Sequence, residues 1–168
     1  MSENGLHQTM MDQAYKIWNR EENKRMTKGQ FLQAVEDELG SFFRTAVVFG
    51  NFIGQVLNGG FMQWHDNGYS NSADEIITTL EDNLKFDEVF KKVLYIMNNV
   101  KEQLEYFEEC NHEVDKTNSD FQETFSMCCE EQMQRSLDRI DNQFYKINEK
   151  FEKAFERWLN ERKIQENN

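Results

Sequence analysis

The chain has 168 residues, 38% of them hydrophobic, with 14 Phe, 3 Trp, 5 Tyr and no proline, so it can close a core and has too few breakers for an all-β fold. Its 31 carboxylates against 19 Lys and Arg leave a net charge of −12, which argues against direct binding to DNA, RNA or an anionic membrane and favours a basic partner. No apolar run reaches the roughly 20 residues of a membrane span, the start MSENGLHQTMMDQ lacks a secretion pattern, and the odd set Cys110, Cys128 and Cys129 suits free thiols, so a cytoplasmic protein is expected.

Met11, Ala14, Tyr15 and Trp18 recur at helical spacing and predict a first helix from about Gln8 to Arg25. Thr27-Lys28-Gly29-Gln30 has capping-box spacing and opens a second, with Phe31, Leu32, Val35 and Leu39 inward and Gly40 as its stop. The third, Phe42 to Leu57, is apolar nearly all round and is the expected central buried helix. Asn58-Gly59-Gly60 ends it, and a short segment, Phe61 to Asn67, follows. Ser72-Ala73-Asp74-Glu75 reads as a second capping box before a helix bearing Ile76, Ile77, Leu80 and Leu84. A long helix then carries Val89, Val93, Met97, Val100, Leu104 and Phe107, with a loop expected from His112 to Asn118.

At the end, Met133, Leu137, Ile140, Phe144, Ile147, Phe151, Ala154 and Trp158 step by four and three, which predicts one narrow seam along a single long helix. That seam packs within its own domain or, alternatively, forms a homodimer interface. The expected fold is therefore all-α, a single-domain bundle over residues 1–168 of about six to eight helices with a long C-terminal helix.

The acidity is local. Residues 102–131 hold Glu102, Glu105, Glu108, Glu109, Glu113, Asp115, Asp120, Glu123, Glu130 and Glu131 against Lys116 alone. Residues 66–88 hold Asp66, Asp74, Glu75, Glu81, Asp82, Asp87 and Glu88 against Lys85, whereas residues 132–163 carry eight cations and six carboxylates. Glu102, Glu105 and Glu109 share one helical stripe, repeating about every 5 Å. In sign and spacing such a row resembles the phosphates of a nucleic-acid strand. Most charge runs are only solvated faces, yet like charges this close weaken a helix by a few tenths of a kcal/mol per pair, roughly, which favours a use. On the nearly neutral C-terminal segment, Glu149, Glu152 and Glu156 are the comparison for that stripe, and their change to Gln is expected to do little to partner binding.

The chemistry of an enzyme is not found. Glu109-Cys110-Asn111-His112 gives the E-x-x-H step of di-iron bundles once rather than twice, and the cysteine spacing does not match zinc sites. His65-Asp66 has no recognisable nucleophile motif around it, and Gly59-Gly60 lacks the Lys-Ser/Thr ending of a phosphate loop. No metal, cofactor or catalytic residue is expected.

Val56-Leu57-Asn58-Gly59-Gly60-Phe61-Met62-Gln63-Trp64-His65-Asp66-Asn67 resembles the signature of the DNA-mimic protein family, small acidic helical proteins of bacteria. Leu137-Asp138-Arg139-Ile140-Asp141-Asn142-Gln143-Phe144-Tyr145 resembles its second pattern, Leu-Asp-x-Leu-Asp-x-x-Phe-Tyr. The resemblance runs from about Phe42 to Arg162, with a poorly aligning acidic insert between Glu102 and Gln132. It departs at Leu57, where the family often has an acidic residue or Asn, and at Gly68-Tyr69, where it has a Ser pair.

The resemblance implies a helix junction set by Asn58, Gly59, Gly60 and Gln63, and, as in the DNA-mimic member, a dimer whose carboxylates occupy the DNA-binding face of a regulator. The expected function is thus inhibition of a DNA- or RNA-binding protein, a transcription regulator or nuclease, through Glu102, Glu105, Glu109, Glu113, Asp115, Asp120, Glu123, Glu130, Glu131, Asp74, Glu75, Glu81 and Asp82. The alternative is an immunity-type or other interaction module that uses apolar anchors.

Overall fold

A computed structural model describes residues 5–114 and 119–166, and their side chains except those of residues 111–126 and 166. Seven α-helices and two 3₁₀ turns follow one another, with no strand among the described residues. They are α1 (Leu6–Trp18), α2 (Lys28–Leu39), α3 (Ser41–Asp66), α4 (Ala73–Asp82), α5 (Glu88–Val114), α6 (Ser119–Tyr145) and α7 (Asn148–Glu166). The fold is all-α, as composition and periodicity predict. The chain divides into two compact units, Met1–Gly54 with Glu149–Asn168, and Gln55–Asn148. One division point falls inside α3, where no Pro- or Ser-rich linker marks it.

The first unit has an aromatic core. Residues 46–53 of α3 are buried without a break, so this stretch is apolar all round because it is enclosed all round. Phe49 stacks on Phe155 of α7 at 4.7 Å between ring centroids, and Phe52 meets Phe151 edge-on at 6.4 Å. The capping box at α2 forms in full: the Thr27 hydroxyl accepts from the Gln30 N–H at 3.2 Å, and the Gln30 side chain accepts from the Thr27 N–H at 2.8 Å. Gly40, at φ 95°, closes that helix as expected.

The first helix is shorter than its pattern suggests, ending at Trp18 rather than near Arg25. Arg20 is extended (ψ 145°), a 3₁₀ turn spans Glu21–Asn23, and the Asn23 amide donates to the Ile17 carbonyl at 2.8 Å. A side chain that bonds the backbone locally competes in this way with helix continuation.

In the second unit α3 passes Gly59 and Gly60, whose non-helical dihedrals kink it, and continues to Asp66. The Ser72 cap predicted for α4 does not form. Ser72 closes a 3₁₀ turn, its N–H bonded to the Tyr69 carbonyl, and makes no side-chain cap bond. Asp87 opens α5 instead, its carboxylate accepting from the Val89 N–H at 2.9 Å. Helix α5 runs to Val114, so residues 112–114 of the expected loop are helical; residues 115–118 lie outside the described residues.

The C-terminal seam is buried within the chain, which favours intramolecular packing over a dimer interface for these residues. It is not one helix, however. A turn at Lys146–Ile147, tied by the Ile147 N–H to the Phe144 carbonyl at 2.9 Å, separates α6 from α7. Met133, Leu137, Ile140 and Phe144 belong to the second unit's core, and Phe151, Ala154 and Trp158 to the first's. No helix among the described residues is long and apolar enough to cross a membrane.

Candidate partner-binding surface

Two segments that resemble family motifs, about 80 residues apart, fold onto each other in the second unit. Gly60 takes φ 78° and ψ −177°, a conformation open essentially to glycine, and its bare Cα lies against the Asp141 carboxylate: an added Cβ would stand 2.3 Å from Oδ2. The same carboxylate accepts the Phe61 N–H at 2.8 Å, serving the helix that restarts after the kink. Around it, Phe61 meets Phe144 at 6.0 Å and buried Trp64 at 6.1 Å, while the Tyr145 hydroxyl donates to the Val56 carbonyl at 3.1 Å. Burial pushes the Asp141 carboxyl above its usual range, with the Phe61 N–H pulling it down and Asp138 adding to the rise.

Gln63 explains the other glycine. Its side chain lies over Gly59, where a Cβ would meet Oε1 at 2.1 Å, and donates to Gln55 Oε1 at 3.3 Å. Asn58, by contrast, is exposed, as is Leu57, the position where the family pattern departs. These motif residues form a structural latch and leave the acidic surface to other side chains.

That surface belongs to the second unit. Counted over its span, residues 55–148 hold 19 carboxylates and 8 cations, a net charge of −11; the remainder holds 12 and 11, a net charge of −1. Glu102, Glu105 and Glu109 are all exposed on α5, as are Glu81 and Asp82 on α4 and Glu130 and Glu131 on α6; Glu75 is half-buried. Arg135 pairs with Glu131 at 3.1 Å. The side chains of Glu113, Asp120 and Glu123, and the whole of Asp115, lie outside the described residues.

Two side chains not singled out in the sequence change the picture of this face. Lys101 reaches from α5 to Asp74 of α4 at 2.6 Å and lies 3.7 Å from Glu105, so one cation ties the two acidic segments together. The hydrogen bond that the Lys101 ammonium donates to Asp74, then the Asp74 charge, hold that ammonium above its usual range. Tyr106, four residues after Glu102 and 52% exposed, is an aromatic body on the same face as the carboxylate stripe. Its outward position follows from the sequence, since Leu104 and Phe107 claim the inward side.

Beside Lys101 lies a cavity of about 260 Å³ lined by His65, Ser70, Asp74, Lys101, Glu105 and Glu108. His65 Nδ1 faces the Ser70 hydroxyl at 3.0 Å, so its polar contact there is not with Asp66. Among the described residues no group of three His, Cys, Asp or Glu side chains is placed to hold a metal; the His112 side chain of the E-x-x-H step lies outside them. All three cysteines are free thiols.

On the other unit, one of the three comparison carboxylates has a structural task. Glu156 of α7 accepts the backbone N–H groups of Leu6 and, at 3.1 Å, His7, and so caps the start of α1.

No curated protein and no solved structure matches the chain. Residues 37–162, 126 of the 168, match the family model described as DMP19-like protein and include both latch segments and the whole acidic region; the chain therefore belongs to the DMP19-like protein family.

Proposed function

We propose that this protein works by binding rather than catalysis, and that the second unit is a DNA mimic that occupies the basic groove of a nucleic-acid-binding protein. The observation that carries this reading is the partition of charge: −11 of the net −12 falls within residues 55–148. Within that unit Glu102, Glu105 and Glu109 extend about 10 Å along the exposed face of α5, a row of anions at a repeat that cationic side chains spaced for phosphates can meet. The resemblance to DNA-mimic proteins supports the same reading.

The test begins with the immobilised protein and the heparin-retained proteins of an extract from its source cells. A captured protein is then purified and titrated. Its affinity should fall steeply between about 50 and 200 mM salt, and duplex DNA should compete for it. Replacing Glu102, Glu105 and Glu109 by Gln should lower affinity by about one to three decades. Replacing Glu22, Glu149 and Glu161, three exposed carboxylates of the other unit, by Gln should do little. Equal losses from both triples would mean that only net charge matters, and would sink the mimicry.

The exposure of Tyr95 (64%), Tyr106 and Met127 (58%) favours a second reading, an immunity-type or other interaction module anchored by apolar side chains. In that case Tyr106→Ala weakens binding by more than the Glu-to-Gln triple does.

A further inference from the structure

Helices α5 and α6 pack along each other, and where α5 begins and α6 ends they leave a surface cavity of about 320 Å³ on the second unit. Its lining comes in pairs four residues apart, one helical turn each: Lys91 with Tyr95 and Lys92 with Ile96 on α5, and Gln143 of α6 with Ile147 in the turn beyond it. Ile96 is buried and Ile147 half-buried, while Tyr95, Gln143 and both lysines are exposed. An apolar wall is thus rimmed by donors and by an aromatic ring that the core does not use. Lys91 is paired with Glu88 at 2.8 Å, whereas Lys92 has no ion pair among the described residues. Two ammoniums less one carboxylate leave a single positive charge at the rim, in a unit whose net charge is −11. Such a unit repels anions in general, so an anion held here is held by this rim.

We propose that this cavity is a binding site for a small aryl carboxylate, a monoanion with a flat apolar body. The body lies against Tyr95, Ile96 and Ile147, and the carboxylate accepts hydrogen bonds from the Lys92 ammonium and from the Gln143 amide, which has no hydrogen bond among the described residues. The volume is at the small end of the roughly 300 to 1,000 Å³ of ligand sites, which suits one or two fused rings. One net positive charge matches a carboxylate and leaves half of a phosphate dianion unpaired. The site is independent of the acidic stripe, whose first member, Glu102, lies about two helical turns beyond Tyr95.

The experiment titrates the full chain with naphthoate, a fluorescent aryl carboxylate, at about pH 7.5, where it is a monoanion. Saturable binding at one site is expected, with a Kd of roughly 0.05 to 1 mM. Naphthamide, the same body without the charge, should bind about 3- to 10-fold more weakly, and Lys92→Glu should weaken naphthoate binding about tenfold or more. Tyr95→Ala should weaken it about 3- to 10-fold, whereas Tyr106→Ala, at an exposed aromatic outside the cavity, should not. Glu88→Gln releases Lys91 and should tighten binding about two- to fivefold. All four positions are exposed, so the variants keep the fold, which circular dichroism checks. The proposal is overturned if naphthoate does not bind, if naphthamide binds as well, or if Lys92→Glu and Tyr95→Ala leave the titration unchanged. A dimer in sedimentation that takes up no naphthoate and that Tyr95→Ala dissociates also overturns it, because a second copy then covers the cavity.

Discussion

Asp141 joins the two motif segments, and its replacement separates what its acceptor oxygen does from what its charge does. In Asp141→Ala the Phe61 N–H loses its 2.8 Å partner. A donor left unsatisfied in a buried site costs about 1 to 3 kcal/mol, which for a chain of this length lowers Tm by roughly 3 to 10 °C. Asp141→Asn keeps an oxygen for the same N–H and removes a charge that burial disfavours, so at pH 7 it should lie within about 1 kcal/mol of wild type or above it. The two variants also differ in pH dependence. The folded Asp141 carboxyl titrates above its ordinary value, so its contribution is fully present below about pH 3.9, the unfolded value, and declines as pH rises through the folded one. Urea unfolding at several pH values between about 4 and 7 should show this declining component in wild type and not in Asp141→Asn. The reasoning is refuted if Asp141→Ala is as stable as wild type, or if Asn damages the protein as much as Ala, because charge rather than the acceptor would then be what the site needs.

Other perturbations test the remaining placements by thermal or urea unfolding. Gly60→Ala forces a side chain into a left-handed conformation and against Asp141, and should destabilise by about 1 to 3 kcal/mol or more. Gly54→Ala, with nothing within 4 Å of the added Cβ, should be neutral or stabilising by up to about 1 kcal/mol. Phe52→Asp puts an unpaired charge at a position with no exposure and should abolish cooperative folding, since several kcal/mol is a large share of a typical stability of about 5 to 15; a soluble, cooperatively melting variant would contradict the core assignment. Glu156→Ala removes the cap of α1 and should lower stability by about 0.5 to 2 kcal/mol, whereas Glu149→Ala should not.

What was legible in the sequence was local or periodic. Thr27 and Gln30 cap α2 as their spacing says, because both partners lie within one turn and no distant group competes. The seam positions from Met133 to Trp158 are buried almost without exception, because apolar periodicity records burial whatever the helix does. The same pattern hid the break at Lys146–Ile147: neither residue is a helix breaker, and the step of three from Phe144 to Ile147 passes through the turn unchanged. Ser72 misled in the opposite sense. Its capping-box spacing is intact, but the 3₁₀ turn preceding it leaves its side chain without a cap bond. Nothing local could place Asp141 beneath Gly60 or Lys101 between Asp74 and Glu105, since those contacts depend on how helices meet.

The carboxylates therefore fall into two kinds by what they touch. Asp141 and Glu156 accept backbone N–H groups that their helices cannot satisfy, and stability should respond when they are removed. Glu102 and Glu109, exposed on α5, have no such duty, and each lies one helical turn from Glu105, a like-charge spacing that makes the helix slightly less stable than neutral residues would. Gly59, Gly60, Gln63 and Asp141 shape the junction, so a match through these segments reports the fold, while the acidic face is a separate property laid over it. If the face were only solubilising, charge could be spread over both units at less repulsion per helix. On the proposed reading, the concentration of charge in one unit, −11 against −1 in the other, is what lets that unit present a dense anionic field to a partner.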